Sequence, residues 1–155
     1  MRVCRVFVGH ALTTGLPVDL VPELGFSYDR LTRARVAERG GLAGQSFATA
    51  DLDAARSLVG ARVASVALDE LTGLRFEARA YWAHELADTA ALVGANLFGA
   101  PFATRTSALG RDGALLGASL TGALADGVML SLNYTGDIRP GADAQVVSAG
   151  LQATW

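Results

Sequence analysis

The chain has 155 residues, 51% of them hydrophobic and only 18% charged, with a formal net charge of −2. That length sets one domain as the default, and the near-neutral balance without a basic stripe excludes a nucleic-acid partner. No window holds the roughly 18–20 unbroken apolar residues of a membrane helix; the richest stretch, residues 89–103, is interrupted by Gly94, Asn96, Gly99 and Pro101. So apolar a chain without a spanning helix fits either strands with one lipid-facing side or a strongly buried soluble domain.

The opening "MRVCRVFVGHALTTG" has an apolar patch broken by Cys4, Arg5 and His10, which makes a poor signal peptide. Residues 1–19 are therefore read as a lead-in. Cys4 is the single cysteine, which leaves no internal disulfide and no cysteine-rich metal site. From residue 20 the pattern has period two. Leu20, Pro22, Leu24, Phe26 and Tyr28 alternate with Val21, Glu23, Gly25, Ser27 and Asp29. Residues 58–68 alternate less clearly, because small residues fill both parities. "LTG" ending at Gly73 reads as a turn, and residues 74–85 alternate again, with Leu74, Phe76, Ala78, Ala80 and Trp82 against Arg75, Glu77, Arg79, Tyr81 and Glu85. Residues 90–105 are helical by composition, but Gly94, Gly99 and Pro101 argue against a helix.

Further along, Asp112-Gly113 reads as a turn before a blurred strand over residues 114–124. Asp126-Gly127 lies between two apolar runs, a strong hairpin signal. Val128, Leu130, Leu132 and Tyr134 then alternate with Met129, Ser131, Asn133 and Thr135, and Pro140-Gly141 marks another turn. The chain closes on "VVSAGLQATW". Val147, Ala149, Leu151, Ala153 and Trp155 share one parity, and Ser148, Gly150, Gln152 and Thr154 share the other. The pattern predicts an all-β, antiparallel up-and-down meander.

The two parities differ in kind, and alternation alone does not say which faces inward. A soluble barrel would be apolar inside; a membrane barrel has the reverse polarity. Tyr28, Trp82 and Tyr134 near strand ends favour the membrane form, as interfacial aromatics. Arg56, Arg62, Arg75, Glu77, Arg79, Glu85, Glu23 and Asp29 then become candidates for a charged lumen, since intramembrane charges face a cavity. The competing reading is a small barrel binding an apolar ligand, with Leu74, Phe76 and Trp82 inside.

Chemistry-bearing motifs are weak. His84-Glu85 would need a second histidine four residues after the first to form a zinc-protease helix, and Asp88 stands there. Cys4 and His10 show no orienting third group, so Cys4 reads as structural. Gly94, Gly99, Gly117 and Gly122 lack the spacing of a phosphate loop and read as small residues that let a strand bend or a neighbour approach. No catalytic, cofactor or metal site is expected.

Taken together, these pieces resemble the C-terminal part of the autotransporter β-domain. The carriers are Trp82-x-His84-Glu85, Phe98-Gly99 with Phe102, Arg111-Asp112 opening a Gly/Leu-rich strand, "LADGVMLSLNYTGDI", and "VSAGLQATW" with its terminal aromatic. Upstream, "LVPELGFSYDR", Glu38-Arg39-Gly40 and "ARSLVGARVA" resemble the family's preceding strands and loop. The resemblance covers residues 20–155. It implies a non-enzymatic outer-membrane barrel of twelve strands that anchors and exports an N-terminal passenger by type V secretion. It also implies that barrel-assembly machinery reads the terminal strand, here through Trp155 with Leu151 and Val147. A chain of 155 residues holds about seven to nine spanning strands, so the expectation is a truncated C-terminal portion with open edges prone to self-association. The implied partners are outer-membrane lipid, the assembly machinery and the passenger segment. With the C-terminus on the periplasmic side, the turns near Asp126 and Asp88 are expected there, and "TSALGRD" and "DIRPGAD" on the outside.

Overall fold

The computed structural model describes residues 2–13, 15, 17–34, 36–37, 45–65, 73–97 and 100–155. All regular structure among them is β. The strands are β1 (Arg2–Gly9), β2 (Leu12–Thr13), β3 (Val18–Arg33), β4 (Val36–Ala37), β5 (Gln45–Phe47), β6 (Ala50–Ser65), β7 (Arg75–Glu85), β8 (Leu92–Leu97), β9 (Ala100–Arg105), β10 (Asp112–Ala125), β11 (Val128–Arg139) and β12 (Ala142–Ala153). The expected antiparallel meander is present. A main sheet runs β1-β3-β6-β7-β10-β11-β12, with β2 paired to the start of β3. It is open, with β1 and β12 at its edges.

The four strands missing from that path form a second sheet in the order β4-β5-β8-β9. This repeats the order β3-β6-β7-β10, and each short strand adjoins its long counterpart in sequence. Two neighbouring hairpins therefore extend past the main sheet and pair again beyond it. The Ala48 amide donates to the Gly94 carbonyl at 3.1 Å, and Thr106 to Ala91 at 2.9 Å, along this extension. Within residues 90–105 the described regular structure is β8 and β9, in keeping with the glycines and the proline that argue against a helix. The Glu38-Arg39-Gly40 loop, the Phe98-Gly99 pair and residues 66–68 lie outside the described residues.

Gly127 (φ 71°) closes the β10–β11 hairpin and Gly141 (φ 88°) closes β11–β12, both in the left-handed region that costs glycine nothing. Two sequence expectations need correction. Asp112 and Gly113 are strand residues opposite His84 and Ala83, and the bend falls at Arg111, whose carbonyl accepts from the Glu85 amide at 2.8 Å. Asp88 follows the end of β7 that lies beside Arg111, whereas Asp126 follows the opposite end of β10. The C-terminal end of β6 and the N-terminal end of β7, not Asp88, share the Asp126 end.

The sheet is strongly curved. Phe7 of β1 and Tyr81 of β7 are three strand spacings apart, which in a flat sheet is about 14 Å; their ring centroids lie 5.4 Å apart. Buried apolar residues among the described ones are few: Val21, Leu58, Tyr81 and Ala83, with Leu115 packed against the last three. In a chain this apolar, that leaves most large hydrophobic side chains exposed, which for a soluble domain would be an aggregation surface.

Candidate functional site

The concave face is built on glycines that side chains of the neighbouring strand cover. Phe7 lies over Gly25, Tyr81 over Gly60 and Arg79 over Gly117, each directly opposite in register. A Cβ on Gly25 would come within 2.6 Å of the Phe7 ring, and one on Gly60 within 2.7 Å of the Tyr81 ring. At Gly117 a Cβ would collide with Arg79 Nε and stand 2.8 Å from its Cγ. These absences of side chain let large residues lie flat across the sheet and permit its curvature, the pairing of glycine with aromatic cover that twisted sheets use.

Above this floor the charges form two connected groups. In the first, Arg56 pairs with Glu85 (Nε to Oε2, 3.1 Å) and Asp137 (Nη1 to Oδ2, 2.8 Å), and Arg139 Nη2 holds Asp137 at 2.7 Å. Glu85 is only 5% exposed, and its Oε1 also accepts from the amides of Ala55 (2.7 Å) and Ala87 (3.2 Å). In the second, Arg62 binds Glu23 at 3.3 Å and Glu77 at 3.5 Å, and the Tyr81 hydroxyl donates to Glu23. Charges in such a setting persist when paired and hydrogen-bonded, because an isolated one is costly. Together they border a cavity of about 470 Å³.

The convex face has the opposite character. Leu24, Phe26, Val59, Leu132, Val147 and Leu151 are all exposed there. Each of the three expected interfacial aromatics lies on this face beside a polar group. The Tyr28 hydroxyl donates to Asp53 at 2.9 Å, Trp82 lies 5.6 Å from the His84 ring, and the Tyr134 hydroxyl donates to Gln145 at 3.4 Å. His84 in turn meets Asp112 at 2.8 Å, and Arg30 meets Asp51 at 2.8 Å.

This polar limit steps across the sheet. On β3 and β6 it falls at Arg30 opposite Asp53, and on β7 and β10 at His84 opposite Asp112. The Phe26–Ser57 pair shares the register row of His84, so the limit has moved toward the Asp126 end by two rows on one face. On β12 it has moved further, to Asp143 and Gln145. A level boundary crossing tilted strands produces such a displacement.

All the charged residues read as inward-facing from sequence share the concave face. Arg56, Arg62, Glu77, Arg79 and Glu23 line the cavity and Glu85 anchors Arg56. Arg75, opposite Thr121, and Asp29, hydrogen-bonded to Ser27 at 3.1 Å, lie on the same face outside the cavity. Val147 and Leu151 are convex, and Trp155 projects past β12, fully exposed. Phe76 and Trp82, which an inward apolar ligand site would require, lie on the convex side. Cys4 and His10 are six strand positions apart, about 20 Å. Sequence reasoning missed Asp137, Arg139 and Arg5. The first two continue the polar parity of Ser131, Asn133 and Thr135 beyond the point where the strand was ended. Arg5 shares the parity of Phe7 inside the segment read as a lead-in.

A comparison with curated proteins found no match. A family model described as the autotransporter beta-domain matches residues 5–135, which takes in most of the chain and both charged groups except Asp137 and Arg139. A meander whose charged face is concave and whose apolar face is exposed agrees with that match. The chain therefore belongs to the autotransporter beta-domain family, translocator barrels embedded in the outer membrane of Gram-negative bacteria.

Proposed function

We propose that this chain is the C-terminal portion of an outer-membrane translocator that anchors and exports an N-terminal passenger. The observation that carries the reading is the polarity of the sheet: paired charges on the concave side, exposed aliphatic and aromatic residues on the convex side. A lipid bilayer accepts that arrangement, and water does not. Arg75, Glu77, Arg79, Glu85, Arg62 and Glu23 then line the lumen. Tyr28, Trp82 and Tyr134 mark the outer interface, beside the polar groups just described. The second sheet and the Pro140 turn lie on the outer side, and the Asp126 turn with Trp155 on the periplasmic side.

In this reading β12 is the strand presented to the assembly machinery. Its Val147 and Leu151 face lipid, and Trp155 stands free at its end. The unpaired edges of β1 and β12 must be closed by further strands of the translocator or by self-association, because lipid satisfies no backbone groups. The reading is tested by expressing the chain, with and without Trp155, behind its passenger in a Gram-negative host. Heat-modifiable migration from outer-membrane fractions, reduced by the deletion while β-content in detergent persists, supports it. A monodisperse, detergent-free soluble monomer overturns it.

A further inference from the structure

We propose that Arg2 and Arg30, at the outer limit of the convex face, hold the phosphate headgroup of an anionic lipid; this rests on the reading of the convex face as the lipid face. The two arginines stand directly opposite each other on β1 and β3, and both are exposed. Direct register sets their Cβ atoms about 4.5–5.5 Å apart on one face, where like charges repel. That repulsion is relieved from one side only. Arg30 is drawn toward β6, with Nη2 2.8 Å from Asp51 and Nε 3.8 Å from Asp53. Arg2 makes no ion pair with a described residue. An anion between the two arginines would pair Arg2 and separate it from Arg30. Guanidinium groups suit a phosphate there, because their planar forks donate paired, charge-assisted hydrogen bonds to its oxygens.

The rest of the described rim favours this place over others. At the same limit the sheet carries Asp53 on β6, Asp112 on β10 and Asp143 on β12. The arginines thus occupy two adjacent strands and the carboxylates lie beyond them. The surface below the pair decides between a free phosphate and a lipid. Toward the Asp126 end on the same face, the next register rows are Cys4–Tyr28, Val6–Phe26 and Val8–Leu24. The four apolar side chains of the last two rows are exposed. From Cys4 to Val8 is four strand positions, about 13 Å, comparable with the about 15 Å of hydrocarbon in one leaflet. A molecule with a phosphate headgroup and acyl chains covers the whole column, whereas inorganic phosphate leaves its apolar part bare.

The test uses the full chain refolded in a neutral detergent and titrated with dioleoyl phosphatidic acid, bound lipid being counted by native mass spectrometry. Dioleoyl phosphatidylcholine, with the same chains and a headgroup of no net charge, is the control. The expected result is binding of phosphatidic acid at least about tenfold tighter than the control. Arg2→Gln and Arg30→Gln each reduce that preference at least about threefold. Asp51→Asn, which removes the carboxylate competing for Arg30, increases it. Arg105→Gln, at an exposed arginine of β9, leaves it unchanged. Heat-modifiable migration of every variant establishes that it is folded. Equal binding of the two lipids, wild-type preference in both Gln variants, an equal loss in Arg105→Gln, or displacement of the lipid by equimolar inorganic phosphate overturns the site. A wild-type chain without heat-modifiable migration overturns the barrel reading beneath it, so the two failures are distinct.

Discussion

Arg56 and Asp137 lie three strand spacings apart in the sheet, and their side chains meet at 2.8 Å. In a flat sheet their backbones would stand about 14 Å apart. The pair therefore ties β6 to β11 across the concavity, and Glu85 and Arg139 hold each end. A double-mutant cycle of Arg56→Gln and Asp137→Asn should give a coupling energy of about 1–3 kcal/mol for unfolding in detergent. Each single change should cost more than a rim pair does, because it strands a half-buried charge. Additive single effects would show that the curvature does not depend on this contact.

The glycine floor separates backbone from side-chain constraint. A Cβ on Gly60 meets the carbonyl oxygen of Ala80, which has no freedom to move within the ladder, whereas a Cβ on Gly117 meets the mobile end of Arg79. Gly60→Ala should destabilise the fold by about 2–4 kcal/mol, and Gly117→Ala by less than about 1 kcal/mol. Equilibrium urea unfolding from micelles measures both, and a reversed order would contradict the packing described.

Opposite faces of one strand should respond oppositely to charge. Leu132 is convex, between Leu120 and Ala149, and Asn133 is concave, between Ser119 and Ser148. Leu132→Arg should cost about 2–4 kcal/mol in a bilayer, the penalty for a lipid-facing arginine near the midplane. Asn133→Arg should cost less than about 1 kcal/mol, since it adds to a face that already carries charge. Vesicle-based unfolding titrations compare the two.

The outer rim should weaken in acid. A hydrogen bond from Thr32, and then the Arg30 guanidinium, hold the Asp51 carboxyl below its ordinary 3.8. This pair lies beyond Tyr28, outside the spanning part of β3 and β6. Because the folded value is depressed, its contribution is complete above the ordinary carboxylate range. It is lost as pH falls through the folded value. The protection factors of the amides at residues 30–33, with intrinsic exchange divided out, should therefore fall modestly in acid, and Asp51→Asn should remove that fall. A wild-type rim insensitive to acid would contradict it.

Period-two alternation made the long strands legible, because a strand with two chemically different faces announces itself in one sequence. It gave residues 20–29 and 74–85 their faces, and it put Glu77 and Glu85 on the same side as Arg79; in the blurred segment 58–68 it is strand register that puts Arg62 beside Glu23 and Glu77. Residues 114–124 were harder, since Ala, Gly and Ser occupy both parities and only pairing with Arg79 and Asn133 shows which side is which. The partners of Arg56 were not legible at all. Asp137 lies 81 positions away, and only the curvature of the sheet brings it close. The Asp88 turn went to the wrong end for a related reason: a reversal in a weakly patterned segment changes the side of everything after it.

The central claim is that the convex face meets lipid and the concave face does not. The chain has two tryptophans, so Trp155→Phe leaves Trp82 as the sole convex reporter, and Tyr81→Trp with Trp82→Phe in the same background moves the reporter to the concave side. After reconstitution, fluorescence quenching by brominated lipid is compared with quenching by an aqueous agent. The account predicts strong lipid quenching of Trp82 and weak lipid quenching at position 81. Aqueous quenching of Trp82 with lipid quenching at position 81 would contradict it.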